Sequence, residues 1–209
     1  AASARFVPTE FLESLGRDSI RDVILGDAVR TTMTVLFADI RGFTSIAERS
    51  TAEDVFKLLN RYLAGVVPVI RNNHGFIDKF IGDAVMGLFP REPADAVRAA
   101  IDIAHAVKAV NTELEGEGMP PLAIGIGIHT GDIVLGTVGS DRRMDTTAIG
   151  DTVNVAARLE ALTKERGIGI LISDDVRRNV TLDNISFIDE GEEHIRGRSQ
   201  PIHIFDVRF

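Results

Sequence analysis

The chain has 209 residues, of which 44% are hydrophobic and 26% charged, so it is long enough to bury the core of one large domain. Its net charge of −8 argues against nucleic-acid binding through a broad basic face, and an anionic substrate would need local cations. The sequence contains no Cys, which excludes disulfides and thiolate chemistry, and no apolar run approaches the ~20 residues of a membrane span.

The apolar pattern predicts alternating strands and helices along the chain. Residues 9–25 have apolar positions at mixed helical spacing, which predicts one lead-in helix or two short ones. Predicted strands follow at residues 32–40, 76–80, 84–89, 122–129, 132–138, 144–149, 168–172, 185–190 and 202–208. Predicted helices run from Thr51 to about Asn73, near 93–115, from Asp151 or Thr152 to about Arg166, and over 174–180.

The order of these elements predicts the fold class. A β-α-β-β-α-β order indicates a ferredoxin-like core in an α+β domain, with helices on one face of a mostly antiparallel sheet and a C-terminal αβ extension. Two residues add local expectations. Gly131 lies between two predicted strands, and Pro68 should kink its helix or end it early.

Two acidic residues stand in apolar, strand-like runs where core residues are expected. Asp39 lies in the run 35–40, and Asp83 follows Gly82 at the tip of a predicted hairpin. An ionised Asp costs several kcal/mol to bury without a cation or a full set of donors, and a divalent metal would relieve the repulsion between two of them. Hard oxygen ligands favour Mg²⁺ or Mn²⁺ over zinc. The alternative is that each Asp caps a helix or closes a turn.

The turn that follows Asp39 has features of a phosphate-binding site. Its residues are Arg41, Gly42, Phe43 and Thr44, which lead into a predicted helix start. Backbone N–H groups at such a turn can bind phosphate, and a metal on the preceding Asp could touch the same phosphates. A plain strand–turn–helix corner would explain the same pattern.

A third motif spans residues 146–158 and ends in two polar side chains on one helix face. Asn154 and Arg158 are four residues apart, and an amide beside a guanidinium suits a ribose hydroxyl and a phosphate. A solvated helix face is the alternative for this pair. Lys79, near the hairpin, could likewise be a surface lysine with Asp78 as its ordinary surface partner.

These three motifs, in this order and at these spacings, resemble the class III nucleotidyl cyclases, the adenylate and guanylate cyclase catalytic domains. The resemblance covers roughly residues 32–207 and implies the fold of the class III cyclase homology domain. It implies that Asp39 and Asp83, with the backbone carbonyl of Ile40, bind two Mg²⁺ or Mn²⁺ ions per active site. The backbone of residues 41–44 would then hold the β- and γ-phosphates of the substrate.

The same resemblance assigns roles to residues nearer the C-terminus. Asn154 would position the ribose, and Arg158 would stabilise the charge of the transition state. A basic residue near the C-terminus often contacts the terminal phosphates in this family, and Arg198 is the first choice here, with Arg196 as the alternative. The five His residues form no ligand cluster by spacing and are interpreted as structural or surface residues.

The base-reading pair of the family falls on Lys79 and Thr147. Many adenylate cyclases have Asp at the second position, whereas a microbial subgroup called class IIIb has Thr, and this chain is similar to that subgroup. Asp145 lies two residues earlier on the same strand face and is an alternative acceptor. A Lys donor and a Thr acceptor complement adenine, whereas guanine would present a second donor to Lys79, and a buried donor without a partner costs about 1–3 kcal/mol.

The resemblance implies an adenylate cyclase that converts ATP to 3′,5′-cyclic AMP and pyrophosphate. In this family the metal-binding and base-reading residues of one site come from different subunits, which implies a head-to-tail homodimer with shared sites. Two alternatives have different sequence signatures. A regulatory nucleotide-binding domain would have lost a metal Asp or the transition-state Arg, and a diguanylate cyclase would have Gly-Gly-Asp/Glu-Glu-Phe at the hairpin, where residues 82–86 read GDAVM.

The predicted organisation has two parts. Residues 1–30 form a lead-in segment that would link to an upstream sensory or membrane module, and residues 31–209 form the catalytic domain. The missing initiator Met suggests a fragment of a longer protein. We expect a cytoplasmic domain without a nucleic-acid partner, and the sequence leaves open both the regulator and membrane attachment of the full-length protein.

Overall fold

The computed structural model describes residues 9–19, 22–140, 143–195 and 198–209, and it describes the backbone but not the side chain of Arg143. The strands are β1 (Ala28–Ile40), β2 (Phe76–Ile81), β3 (Ala84–Phe89), β4 (Ile124–Ser140), β5 (Arg143–Ile149), β6 (Ile170–Ser173), β7 (Ser186–Glu193) and β8 (Ile202–Arg208). The helices are α1 (Thr9–Ser14), α2 (Phe43–Glu48), α3 (Ala52–Asn72), α4 (Pro93–Gly116), α5 (Asp151–Arg166) and α6 (Asp174–Arg177). No helix in these ranges is long and apolar enough to cross a bilayer.

The described strands form one sheet in the order β2-β3-β1-β4-β6-β8-β7, and β5 pairs with β4 outside this path. The pairings are antiparallel except between β4 and β6, which run parallel. The longest ladder joins β1 and β4 from Ala28–Gly136 to Ile40–Ile124. The predicted α+β class and ferredoxin-like order are therefore confirmed.

Helices cover both faces of this sheet. The buried residues of α3 and α4 pack with Leu36, Ala38 and Ile126 on one face, as predicted. The prediction is wrong for α5, which packs through Ala156 with Val35 and the other odd-numbered positions of β1 on the opposite face. Side chains alternate along a strand, so each strand of the central sheet contributes to two separate cores.

Glycine in β4 explains how close α5 comes to the sheet. A Cβ built on Gly127 would lie 2.1 Å from the backbone nitrogen of Glu160 and 2.4 Å from the carbonyl oxygen of Ala156. A Cβ on Gly125 would lie 2.1 Å from the hydroxyl of Thr163. The backbone of α5 therefore rests almost directly on the backbone of β4, at positions that only glycine can occupy.

One local prediction is wrong and another is wrong in part, because tertiary packing overrides the local signal. Gly131 does not separate two strands, because it pairs with Met33 inside the continuous strand β4. Its missing side chain instead accommodates Thr152, whose hydroxyl would lie 2.7 Å from a Cβ there. Helix α3 does not end at Pro68 but continues to Asn72, and its buried face extends beyond the proline to Ile70, so the predicted early end is wrong and the predicted kink stays a prediction.

The described part of the lead-in segment packs against the sheet. Phe11 of α1 is 1% exposed and lies in the same cluster as Met33 and the odd-numbered residues of β1. The predicted lead-in helix, or pair of short helices, over residues 9–25 is confirmed for Thr9–Ser14; Asp22 has a 3₁₀ conformation, and residues 20 and 21 lie outside the described residues. The backbone N–H of Gly26 donates to the hydroxyl of Thr137 at 3.0 Å. The division at residue 30 stays a prediction.

The seating of α5 on Gly127 gives a stability prediction. We expect Gly127→Ala to cost at least about 3 kcal/mol, since the new methyl group would meet backbone atoms that cannot rotate away. For a domain of this size that cost lowers the thermal midpoint by roughly 6 °C or more. Gly169→Ala is the matched control, because a Cβ there meets nothing within 4 Å. Equal midpoints for the two variants in a thermal melt would contradict this account.

Candidate active site

Two carboxylates meet where β1 ends beside the β2–β3 turn. Asp39 is the penultimate residue of β1, and Asp83 follows Gly82, whose φ of 63° closes the turn. Because Ala38 pairs with Val85, the end of β1 lies next to this turn. One oxygen of each carboxylate is buried and, among the described residues, has no hydrogen-bond partner. The structure thus brings together the two acids that the sequence singled out.

The electrostatics of this pair favour a cation. Burial, followed by the adjacent carboxyl of Asp83 and then the charge of Glu160, raises the pKa of Asp39 to about 7. Burial also raises the pKa of Glu160, against the opposing charge of Arg41. The pKa of the buried Tyr62 hydroxyl is raised by burial first and by the charges of Asp39 and Asp83 next. Negative charge is therefore concentrated here with little compensation.

The donor set fits a hard divalent ion rather than a soft one. The unsatisfied atoms are carboxylate oxygens, which Mg²⁺ and Mn²⁺ prefer. Within the described ranges no group of three or more His, Cys, Asp or Glu is placed to hold a metal. An ion at Asp39 and Asp83 would therefore need further oxygen ligands, and the Ile40 carbonyl is the one that the resemblance to cyclases implies.

Arg41 has a different position from the one expected. Its backbone N–H donates to the carbonyl of Ala123 at 2.7 Å, so it is not free to bind a phosphate. Its guanidinium donates to the carbonyl of Thr163 at 3.1 Å and to that of Ile168, at the C-terminal end of α5. Arg41 therefore ties the turn to α5, and its predicted backbone contact with phosphate is not supported.

The rest of the turn, residues 42–44, could still accommodate a phosphate. Gly42 adopts the left-handed conformation, with φ 69°, and precedes α2 without a side-chain cap. The first backbone N–H groups of a helix have no partner within the helix, so those of Phe43 and Thr44 can face a ligand.

Lys79 and Thr147 are adjacent in space although 68 residues separate them. The ammonium of Lys79 donates to the hydroxyl of Thr147, which is 7% exposed. Asp145, the alternative acceptor, is exposed and accepts from the backbone N–H of Thr146 at 2.9 Å. Of the two candidates, the structure places Thr147 beside Lys79.

Asp78 is the residue that the sequence reasoning misjudged at this position. Its side chain is 1% exposed, so the interpretation of a surface partner for Lys79 is wrong. Its carboxylate accepts from the backbone N–H of Ala148 at 3.2 Å and from the hydroxyl of Thr147 at 3.3 Å. Burial raises the pKa of Asp78, and the charge of Lys79 opposes the shift. The available signal was an acid directly before Lys79, the lysine to which the resemblance assigns base reading.

Asn154 and Arg158 lie on the outer side of α5. Both residues are exposed, and the guanidinium of Arg158 lies 3.9 Å from the carboxylate of Glu165. Residues 158 and 160 project about 200° apart around a helix, so Arg158 faces away from Glu160 and its sheet-facing neighbours. Within one chain, the structure therefore brings Asn154 and Arg158 together but does not bring them to Asp39.

Arg198 lies at the start of α5. Its guanidinium is 3.0 Å from the carboxylate of Asp151, and its charge contributes to lowering the pKa of His129. Burial is the larger cause of that shift and lowers the pKa of His129 to about 4. His129 is a buried structural residue whose Nδ1 lies 2.7 Å from the hydroxyl of Ser173. The alternative Arg196 lies outside the described residues.

Comparison with known proteins identifies relatives along nearly the whole chain. A relative named adenylate cyclase, from Anabaena cylindrica, is 41% identical over 212 aligned residues that cover 98% of this chain. The chain spans 42% of the length of that relative.

Solved structures give the same assignment of fold. The adenylyl cyclase CyaB from P. aeruginosa superposes with a TM-score of 0.79 at 35% identity, covering 87% of this chain and 96% of that one. The guanylyl cyclase Cya2 superposes with a TM-score of 0.74 at 32% identity, covering 88% and 94%. The sequence model of the adenylate and guanylate cyclase catalytic domain matches residues 28–206, and this chain belongs to that family.

Proposed function

We propose that this chain is an adenylate cyclase domain that converts ATP to 3′,5′-cyclic AMP and pyrophosphate. The observation that carries the proposal is the pair of partly buried carboxylates, Asp39 and Asp83, each with an oxygen that has no partner among the described residues. The named adenylate cyclase activity of its relatives supports the same reaction.

The acid pair is the metal-binding part of this site. Asp39, Asp83 and the carbonyl of Ile40 would hold two Mg²⁺ or Mn²⁺ ions, which activate the ribose 3′-hydroxyl and neutralise the triphosphate when bound. The N–H groups of Phe43 and Thr44 lie in the next turn of the chain and would donate to the phosphates.

The choice of base depends on Lys79 and Thr147, because the family contains cyclases of both nucleotides. Lys79 can only donate, so it complements the N1 acceptor of adenine and is mismatched with the N1–H of guanine. Thr147 lies within hydrogen-bonding distance of the same ammonium and can accept from the exocyclic amine of adenine. Together they favour ATP over GTP.

The positions of Asn154 and Arg158 support a homodimer with shared sites. Asn154 and Arg158 would position the ribose and stabilise charge on the α-phosphate, yet within one chain they face away from the acid pair. A second copy in head-to-tail arrangement would bring its Arg158 to the acids of the first. Exposed apolar side chains concentrate on β2 and β5, which carry Lys79 and Thr147, and on the part of β4 that pairs with β5, which suits such an interface; they include Phe80, Ile81, Val134, Val138, Met144 and Ile149.

Arg198 is the candidate for a contact with the terminal phosphates. Its guanidinium lies at the start of α5, the helix that also carries Asn154 and Arg158. It would therefore reach the substrate from the same subunit as those two residues, once its pairing with the exposed Asp151 is exchanged for a phosphate.

Removal of either acid should stop cyclisation without unfolding the domain. Asp39→Asn and Asp83→Asn keep the side-chain volume and take away a charged metal ligand, so we expect kcat to fall at least about 100-fold. Cyclic AMP formed from ATP in Mg²⁺ or Mn²⁺ is measured by mass spectrometry, with Asp183→Asn as the control that removes an exposed carboxylate. Near-normal activity in a folded Asp39→Asn variant would refute the metal assignment.

The raised pKa of Asp39 predicts a pH effect when metal is removed. With a folded-state pKa of about 7 against an ordinary 3.8, folded Asp39 binds more protons than unfolded Asp39 between about pH 4 and 7. Its contribution to the free energy of unfolding must therefore decrease as pH rises through this window.

Urea denaturation in EDTA at several pH values tests this sign. The stability of Asp39→Asn relative to wild type should rise with pH up to about 7 in EDTA. Saturating Mg²⁺ should abolish that trend, because the metal replaces the proton as the charge that neutralises the acids. A difference between the two proteins that does not vary with pH in EDTA would show that Asp39 is not perturbed.

Two inactive variants should restore activity when they share a dimer. If each site takes Asp39 from one subunit and Arg158 from the other, a heterodimer of Asp39→Ala and Arg158→Ala has one intact site. It should retain about half of the wild-type activity per dimer.

The heterodimer is isolated through two different affinity tags, and a doubly tagged Asp39→Ala homodimer is the control. An inactive heterodimer of verified composition would refute the shared site while leaving the metal assignment standing. Activity in the control dimer would instead count against the role of Asp39.

A further inference from the structure

We propose that Asp78 is a positioning residue that sets base preference by fixing the direction of the Thr147 hydroxyl proton, an inference that rests on the proposed function. The resemblance to cyclases assigned base reading to Lys79 and Thr147 only. Asp78 lies beneath both, and its carboxylate contacts each of them.

A bulge in β2 places Asp78 there. The register of β2 against β3 shifts between Ile77, which pairs with Gly87, and Lys79, which pairs with Met86. Successive residues of a regular strand point to opposite faces, but a bulge redirects one of them. As a result, both Asp78 and Lys79 reach Thr147.

The contacts of Asp78 serve two purposes. One carboxylate oxygen accepts from the backbone N–H of Ala148 at 3.2 Å, which ties β2 to β5. The other accepts from the hydroxyl of Thr147 at 3.3 Å and lies 3.5 Å from the ammonium of Lys79. The hydrogen bond from Ala148 is sufficient to give Asp78 a structural role in joining β2 to β5. The contacts with Thr147 and Lys79 therefore need a separate explanation.

The explanation lies in which of the groups around the Thr147 hydroxyl can donate a proton and which can only accept one. A hydroxyl has one proton, an ionised carboxylate can only accept, and an ammonium can only donate. The carbonyl of Ala148 lies at the same 3.3 Å from the Thr147 hydroxyl, but a charged acceptor forms the stronger bond. The proton is therefore directed to Asp78, and Lys79 occupies another side of the oxygen.

Thr147 is thereby left with one lone pair for the substrate, because Lys79 donates to the other. It can accept from the exocyclic amine of adenine but cannot donate to the carbonyl that guanine carries at the same position. Without Asp78 the hydroxyl could rotate and donate, which would relax the discrimination between the bases. Asp78 thus converts the Thr147 hydroxyl, which could donate or accept a hydrogen bond, into a group that can only accept one from the substrate.

Asp78→Asn tests this polarity with almost no change in shape. The amide oxygen can still accept from Ala148, whereas the amide nitrogen would donate to Thr147 and turn its proton outward. We expect the ratio of kcat/KM for ATP to that for GTP to fall roughly ten-fold, because a mispaired buried group changes affinity by about that factor. Should Asp78→Asn fail to fold, Asp78→Ser removes the obligate acceptor with a smaller polar side chain and should lower the same ratio.

A double-mutant cycle separates positioning from stability. Thr147→Val removes the hydroxyl, so Asp78→Asn should lower the ATP:GTP ratio in wild type but not further in Thr147→Val. A structural defect would lower activity with both nucleotides in both backgrounds and leave the ratio unchanged. Folding of each protein is checked by circular dichroism.

The outcomes distinguish this inference from the proposed function. An active wild type with an unchanged ratio in folded Asp78→Asn would overturn the inference alone. A fall in the ratio that persists in the Thr147→Val background would also overturn it, because Asp78 would then act without Thr147. A folded wild type that forms no cyclic nucleotide from ATP would overturn the proposed function, and the inference with it.

Discussion

The repulsion between two like charges is the constraint on which the candidate site depends. The β1–β3 register holds Asp39 next to the turn that carries Asp83, and one buried oxygen of each carboxylate has no hydrogen-bond partner among the described residues. That register is fixed by apolar packing, because a shift by one residue would move Leu36 and Ala38 out of one core and Asp39 into it. The free energy that holds the acids together therefore comes from the hydrophobic faces of the sheet.

Hydrophobic periodicity predicted most of the elements but little of their arrangement. The strands and long helices agree with the pattern, since each buries one face or both. Two of the failures lie where a glycine allows close approach. Gly131 reads as a strand break because a sequence shows its missing side chain but not Thr152 above it. The sequence around Gly127 does not indicate that α5 packs on the face of the sheet opposite α3 and α4, because the residues that Gly127 contacts are about 30 positions away in sequence.

The site was predictable to the extent that its residues stand in local motifs. The proximity of Asp39 and Asp83 follows from a strand and a hairpin tip, whereas that of Lys79 and Thr147 required the family resemblance. The contributions of Asp78 and Glu160 were missed. Each depends on long-range burial, and in the case of Asp78 on a bulge that changes which way one side chain points. Local sequence carries almost no signal for such a contact.

The position of α5 connects the two halves of the proposed site. Its sheet-facing side places Glu160 near the acids of its own chain, while its outer side presents Arg158 to solvent. In the proposed dimer, one rigid helix would therefore add negative charge to one site and a transition-state cation to the other. Since α5 rests on backbone at Gly127, it has little freedom to shift. The same glycine that allows α5 to approach the sheet would therefore also set the position of Arg158 in the neighbouring site.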